Sequence, residues 1–159
     1  MLIGTRPEAP VPLIPAFRAT SNDGSPRDQA DLLGKPTVMW FFPAANTSGC
    51  TVEGCGYRDN YEAFQALGVR IIGVSFTDVQ TNGDWVTEQG FQYEIWHDDN
   101  KALALYYDAV EQRGEQYPKR RTRVLNAEGQ VVLEYNNKII VGAHPEEVLQ
   151  DVTLLFGKN

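Results

Sequence analysis

The sequence predicts an α/β fold, a mixed central β-sheet flanked by helices, and three observations carry that prediction. Thr37-Val-Met-Trp-Phe-Phe42 is a continuous apolar run between Pro36 and Pro43, the pattern of a strand buried on both faces. Val69-Arg-Ile-Ile-Gly-Val-Ser-Phe76 repeats that pattern after a helix-length stretch. Strands alternating with helical segments, then a hairpin and a last helix, give the element order of an α/β sandwich.

The elements follow in chain order. Pro7, Pro10, Pro12 and Pro15 make residues 1–15 an extended arm lying on the domain. After the first strand comes a polar turn, Ala44 to Gly49, and then a helix from about Cys50 to Leu67. Its buried stripe is Tyr57, Tyr61, Phe64 and Leu67, and Gly68 is placed to cap its C-terminus. The second strand is followed by a weaker helix over Thr81–Gln89 and a short strand near Tyr93–Trp96. A helix over Asn100–Tyr107 and a Gly-containing loop through Pro118 come next. Arg120–Asn126 and Gln130–Tyr135 form a hairpin around Ala127-Glu128-Gly129. The last helix runs from about Pro145 to Phe156, with proline suited to its first turn. No internal repeat or low-complexity segment divides the chain, so one domain is expected over residues 1–159.

Composition narrows the function. A chain of 159 residues, 42% hydrophobic and 22% charged, is ordinary for a globular protein with a real core. The formal net charge of −7 is spread along the chain. It repels nucleic-acid backbones and anionic membrane surfaces, and Lys119-Arg120-Arg121 with Arg123 is too short a cluster to reverse this. No stretch approaches the roughly 20 apolar residues of a membrane span. Met1 to Phe17 lacks the basic start and apolar run of a signal peptide, so the cytosol is the expected compartment.

The chemistry lies in the two cysteines, Cys50 and Cys55. Cys50 falls where a buried strand turns into a helix, in the helix's first turn. Free backbone N–H groups and the positive end of the macrodipole there favour the thiolate, the nucleophilic form. Thr47 and Ser48 are capping candidates. Positions i and i+5 of an intact helix are roughly 8.6 Å apart between Cα atoms, from the helix rise and radius. A disulfide tolerates at most about 7 Å, so Cys50 and Cys55 can join only if the helix opens. Gly54 and Gly56 flank Cys55, and each weakens a helix interior by about 1 kcal/mol relative to alanine.

Taken alone, the cysteines also fit two small buried residues or a structural disulfide. A zinc site lacks ligands: there are only two histidines, His97 and His144, and no second cysteine pair. The Cys-x-x-Cys spacing of a thioredoxin-type exchanger is absent.

Phe42-Pro43-Ala-Ala-Asn-Thr47-Ser-Gly-Cys50-Thr51-Val-Glu53-Gly-Cys55 resembles the active-site segment of peroxiredoxins, whose motif is Pro-x-x-x-Thr/Ser-x-x-Cys. With Tyr57-Arg58-Asp59 behind it, the segment is closer to the peroxiredoxin Q, or bacterioferritin comigratory protein, subfamily. Gly34-Lys35-Pro36, Gly73-Val74-Ser75, Asn126-Ala-Glu-Gly129 and His144 also fall in family-like places, so the likeness covers most of the chain. The resemblance implies a thioredoxin-like fold and a peroxidase for hydrogen peroxide and organic hydroperoxides that uses no metal or organic cofactor. It implies that Cys50 is oxidised to a sulfenic acid and that Cys55 resolves it as a disulfide. Thioredoxin or a similar dithiol reductant would then restore the thiols. A monomer is the expected state, with a dimer as the alternative.

By the same resemblance Thr47 would hydrogen-bond the thiolate and the peroxide, and Pro43 would shield the pocket from water. The family's arginine, counted back from the hairpin, falls on Arg120, with Arg121 the competing neighbour. Glu53 reads as an arginine partner rather than a base, because a bare carboxylate disfavours a thiolate beside it. The chain departs from the family at Ser48, where proline is common, at Ala44-Ala45, at Arg123, where an aromatic is usual, and at Trp96-His97. His97 reads as a surface or packing histidine in preference to a base. A redox-sensing module and a dithiol exchanger are the alternatives; neither needs the anion-stabilising pocket that Thr47 and Arg120 suggest.

Overall fold

Apolar runs too hydrophobic for any surface set the middle of the molecule. In the computed structural model, which describes residues 1–157, seven strands form one sheet: β1 (Ala19–Ser21), β2 (Pro26–Arg27), β3 (Thr37–Phe41), β4 (Arg70–Ser75), β5 (Glu94–Asp98), β6 (Arg121–Leu125) and β7 (Val131–Tyr135). Their order is β2-β1-β5-β4-β3-β6-β7. β3 pairs parallel with β4, and β4 with β5, whereas β1, β2, β6 and β7 add antiparallel pairings. The expected mixed sheet flanked by helices is therefore present, with the two apolar runs adjacent at its centre. The expected domain span of 1–159 extends two residues beyond the described ones.

Every residue of β3 is buried because helices cover both faces. Five helices do so: α1 (Ser48–Asp59), α2 (Tyr61–Ala66), α3 (Val79–Gln89), α4 (Ala102–Tyr106) and α5 (His144–Phe156). The strand period of two divides the core. Val38, Trp40 and Phe42 pack with Tyr57, Phe64, Trp85, Val148 and Val152 on the α1/α2/α3/α5 side. Met39 and Phe41 pack with Ile72, Val74, Leu103 and Tyr107 on the α4 side. Among the described residues no helix is long and apolar enough to cross a membrane.

Three expectations change in detail. The single helix over 50–67 is two helices, α1 and α2, broken at Asn60. There the Asn60 Nδ2 donates to the Gly56 carbonyl at 2.8 Å, competing with the helix ladder. Moreover, α1 begins two residues before Cys50. β1, β2 and a short 3-10 helix over Gln29–Leu32 carry no sequence signal strong enough to mark them. Both strands are too short for alternation to be read, and the 3-10 turn rests on a local capping box of Asp28 and Asp31.

The proline-rich arm runs along β7, making antiparallel bridges at Thr5–Glu134 and Val11–Val131. Its start is held by the buried Asp151 of α5, whose carboxylate accepts from the amides of Ile3 at 2.9 Å and Gly4 at 2.8 Å and from the Tyr135 hydroxyl.

His144 opens α5 and is buried, with Nε2 2.9 Å from Thr122 Oγ1. Burial pushes its imidazole down from 6.5 to about 4. The folded state thus binds this proton less tightly than the unfolded chain, and the contribution of neutral His144 is lost as pH falls from 6.5 toward 4. Glu53 and Asp98, pushed up to about 7 and about 6, act in the opposite sense. Comparison with His144→Gln cancels them. The stability advantage of the wild-type chain over this variant, from urea unfolding at several pH values, is expected to be constant above pH 6.5 and to shrink toward pH 4.

Candidate active site

β3 ends against a break in the ladder. Phe42 donates its amide to Val74, and Pro43, which has no amide to donate, turns the chain out of the sheet. The turn is held from outside, since Thr77 Oγ1 accepts from the Ala45 amide at 3.0 Å. It is also held from within, where Thr47 Oγ1 donates to the Ala44 carbonyl at 2.8 Å. Thr47 is the N-cap residue of α1 by its extended backbone but makes no side-chain cap bond. Its proton lies on Ala44, so the hydrogen bond to Cys50 expected from the resemblance is absent among the described contacts.

Cys50 sits in the first turn of α1 and is 1% exposed. Arg120 comes to it from the sheet. β6 pairs antiparallel with β3, Arg121 opposite Phe41, so Arg120 lies beside the point where β3 ends and the chain turns toward Cys50. The Arg120 Nη2 is 3.3 Å from Cys50 Sγ, and its Nη1 is 2.8 Å from Glu53 Oε1. Gly49 makes this approach possible, because a Cβ there would lie 2.9 Å from Arg120 Nη2. Arg121 and Arg123 turn elsewhere. Arg121 donates to the Asn136 carbonyl at 2.6 Å, and Arg123 donates to Asn136 Oδ1 at 2.7 Å and faces Glu134. Of these arginines, Arg120 is the one in contact with Cys50.

Glu53 is fully buried, one helical turn beyond Cys50. Burial pushes its carboxyl up to about 7, with the Arg120 guanidinium pulling the other way. Among the described residues the second carboxyl oxygen has no hydrogen-bond partner, nor does the buried hydroxyl of Tyr57. Glu53 is thus paired with the Arg120 guanidinium, at 2.8 Å.

Cys55 is half-buried on the same helix, and both cysteines are free thiols. Its sulfur donates to Gln89 Oε1 at 3.5 Å. A groove of about 390 Å³, lined by Val52, Cys55, Gly56, Asn60, Gly142 and Pro145, opens beside it. The flanking glycines have packing reasons as well as the expected helix-weakening one. A Cβ on Gly54 would lie 2.7 Å from Phe91 Cζ, and one on Gly56 would lie 2.6 Å from Pro145 Cγ. His97 has its Nδ1 3.0 Å from the Thr77 carbonyl and its Nε2 3.9 Å from Asp99.

The structure therefore brings Cys50, Glu53 and Arg120 into one contact set and puts Thr47 and Pro43 in the turn that leads to it. Gly49 has only a weak mark in the sequence, its small size beside a cysteine at a helix start. Trp85 and Tyr93 have none, because their contacts with α1 cross more than thirty residues of chain.

The AhpC/TSA family matches residues 12–134. The chain is 31% identical over 136 residues to the chloroplastic peroxiredoxin Q of Gentiana triflora, a match covering 86% of this chain and 63% of that protein. The chain thus spans less than two thirds of this relative's length. A peroxiredoxin Q structure from Xanthomonas campestris superposes with a TM-score of 0.79 at 25% identity, covering 96% of this chain and 97% of that one. The bacterioferritin comigratory protein of the same organism, studied for alkyl peroxide reduction, superposes with a TM-score of 0.81 at 23% identity, covering 98% and 99%.

Proposed function

Because the chain belongs to the AhpC/TSA family, with relatives that include peroxiredoxin Q, we propose that it is a thiol-dependent peroxidase in which Cys50 attacks and Cys55 resolves. The observation that carries this reading is the approach of Arg120 to Cys50 Sγ at 3.3 Å, at the start of a helix, with Glu53 holding the guanidinium at 2.8 Å. An arginine and the backbone N–H groups of a helix N-terminus place positive charge at the sulfur and at any oxygen developing charge beside it.

In the first step the Cys50 thiolate attacks the distal oxygen of a peroxide. A new S–O bond forms as the O–O bond breaks, the leaving oxygen takes a proton as water or an alcohol, and Cys50 becomes a sulfenic acid. Hydrogen peroxide and small organic hydroperoxides are the proposed substrates; the alkyl peroxide reduction studied in the Xanthomonas neighbour supports the latter. In the second step the Cys55 thiolate attacks the sulfenic sulfur and hydroxide departs as water, leaving a Cys50–Cys55 disulfide. Two electrons from thioredoxin or a similar dithiol protein restore both thiols by exchange. Thr47 keeps an acceptor oxygen in the turn before Cys50, and Pro43 closes that turn. The unit is taken to act as a monomer in the cytosol, where the surroundings keep both cysteines reduced.

One equivalent of hydrogen peroxide added to the reduced chain is expected to remove two hydrogens, mapped by mass spectrometry to a Cys50–Cys55 bond. Cys55→Ser protein is expected to stop at a Cys50 sulfenic acid that dimedone traps. If the oxidation mapped to any other residue, or the wild-type chain stayed reduced, the proposal would fail.

A further inference from the structure

The segment from Trp85 to Tyr93 is fastened along one side of α1, and most strongly around Cys55. Trp85 Nε1 donates to Thr51 Oγ1 at 3.1 Å. The Tyr93 hydroxyl donates to the Gly54 carbonyl at 2.8 Å in a buried contact. Arg58 Nη1 donates to the Gln89 carbonyl at 2.7 Å, and Gln92 Nε2 donates to the Arg58 carbonyl at 3.1 Å. The Phe91 and Tyr93 rings stack 5.1 Å apart, and Gly54 is the residue that lets them lie against the helix.

Within a helix the Gly54 carbonyl is engaged by the amide four residues on. The Tyr93 hydroxyl therefore occupies its second lone pair, a bond that exists only while this turn of α1 is packed against Tyr93, the residue that precedes β5. Burial also keeps the phenol protonated and so a donor. Yet Cys55 reaches Cys50 only if this turn unwinds, since a helix holds residues five apart at roughly 8.6 Å. The helix-weakening glycines and the bonds that Gln89 accepts and Gln92 and Tyr93 donate thus act on the same turn in opposite directions.

Building on the peroxidase reading, we propose that Tyr93 is a positioning residue that latches the Cys55 turn of α1 in its helical form. The latch sets how long an oxidised Cys50 waits before Cys55 reaches it. While it is closed, the Cys50 sulfenic acid stays in the folded site and is open to a second peroxide, which would transfer one oxygen to give the sulfinic acid and leave as water or alcohol. When it opens, the Cys55 thiolate displaces hydroxide from the same sulfur and the disulfide forms. Tyr93 makes no hydrogen bond to either sulfur among the described contacts; it governs the partition between these two fates.

The test compares wild-type chain with Tyr93→Phe, which deletes one hydroxyl, and with Arg58→Ala, which removes the half-exposed arm of the latch. Stopped-flow oxidation by hydrogen peroxide separates the peroxide-dependent step at Cys50 from the peroxide-independent closure. In both variants the first rate is expected to stay within about twofold, and closure to accelerate about three- to tenfold, as the net loss of one hydrogen bond allows. The sulfinic fraction at high peroxide should fall by a similar factor. Closure is also driven with diamide, which takes up two electrons and two protons from the thiols without peroxide chemistry. Amide exchange over residues 54–59 of the reduced chain should quicken in parallel. Closure and exchange at the wild-type rate in both variants would overturn the latch. A wild-type chain that ignores peroxide would overturn the peroxidase reading instead, with the diamide and exchange arms still deciding the latch.

Discussion

Cys50→Ser protein is expected to lose peroxide turnover completely, falling to the uncatalysed background when consumption is followed with excess dithiol reductant. A serine hydroxyl at this site is not ionised at neutral pH and cannot cycle through a sulfenic acid, so the step that breaks the O–O bond has no substitute nucleophile. The chain contains only one other cysteine. Cys55 does not replace it, because its sulfur faces Gln89 and is not in contact with Arg120. The exchange of sulfur for oxygen at a buried position leaves a group that Arg120 still reaches, so the fold is expected to persist, with a cooperative thermal transition within a few degrees of wild type. Peroxide consumption by this variant at the wild-type rate would remove Cys50 from the mechanism.

The second large effect belongs to Arg120. Arg120→Ala is expected to slow oxidation of Cys50 by about a hundred- to a thousandfold, the range found when one preorganised donor is removed from a developing negative charge. The same change leaves Glu53 buried without its only partner among the described residues. A broken buried pair costs about 3–5 kcal/mol, here reduced because the Glu53 carboxyl, already pushed up to about 7, takes a proton instead of remaining charged. The two consequences separate in Arg120→Ala/Glu53→Gln. That double variant should recover much of the stability, measured by urea unfolding, while the oxidation rate stays low. Arg120→Lys should fall between wild type and alanine, since a single ammonium does not span both Cys50 Sγ and Glu53 Oε1 as the guanidinium does. Oxidation of Arg120→Ala protein at an unchanged rate would mean that the arginine acts on Glu53 alone.

The elements most legible in the sequence are those whose pattern is set by burial. Thr37–Phe42 reads as a central strand because only a position covered on both faces holds six such residues in a row, and the hairpin reads from its turn residues. The end of α1 is less legible. Asn60 looks like any helix-surface residue until its amide is seen to bind the Gly56 carbonyl. Strands β1 and β2, three and two residues long, owe their existence to their neighbours: β5 completes the hydrogen bonds of β1, and β1 those of β2. Thr47 illustrates the limit at the site itself, where the motif locates the residue but the turn decides that its hydroxyl donates to Ala44.

What the sequence determines by itself is local and covalent. A cysteine lies in the first turn of a helix, a second lies five residues on, too far to bond across an intact helix, and glycines stand on either side of it. Which arginine meets the sulfur is a tertiary matter. Adjacent strand residues point to opposite faces, so Arg120 and Arg121 are separated only by the register of β6 against β3. Tertiary structure also gives Gly54 and Gly56 their second meaning. They are small because Phe91 and Pro145 lie against them, and the segment that ends at Tyr93 holds closed the same turn that the glycines make easy to open.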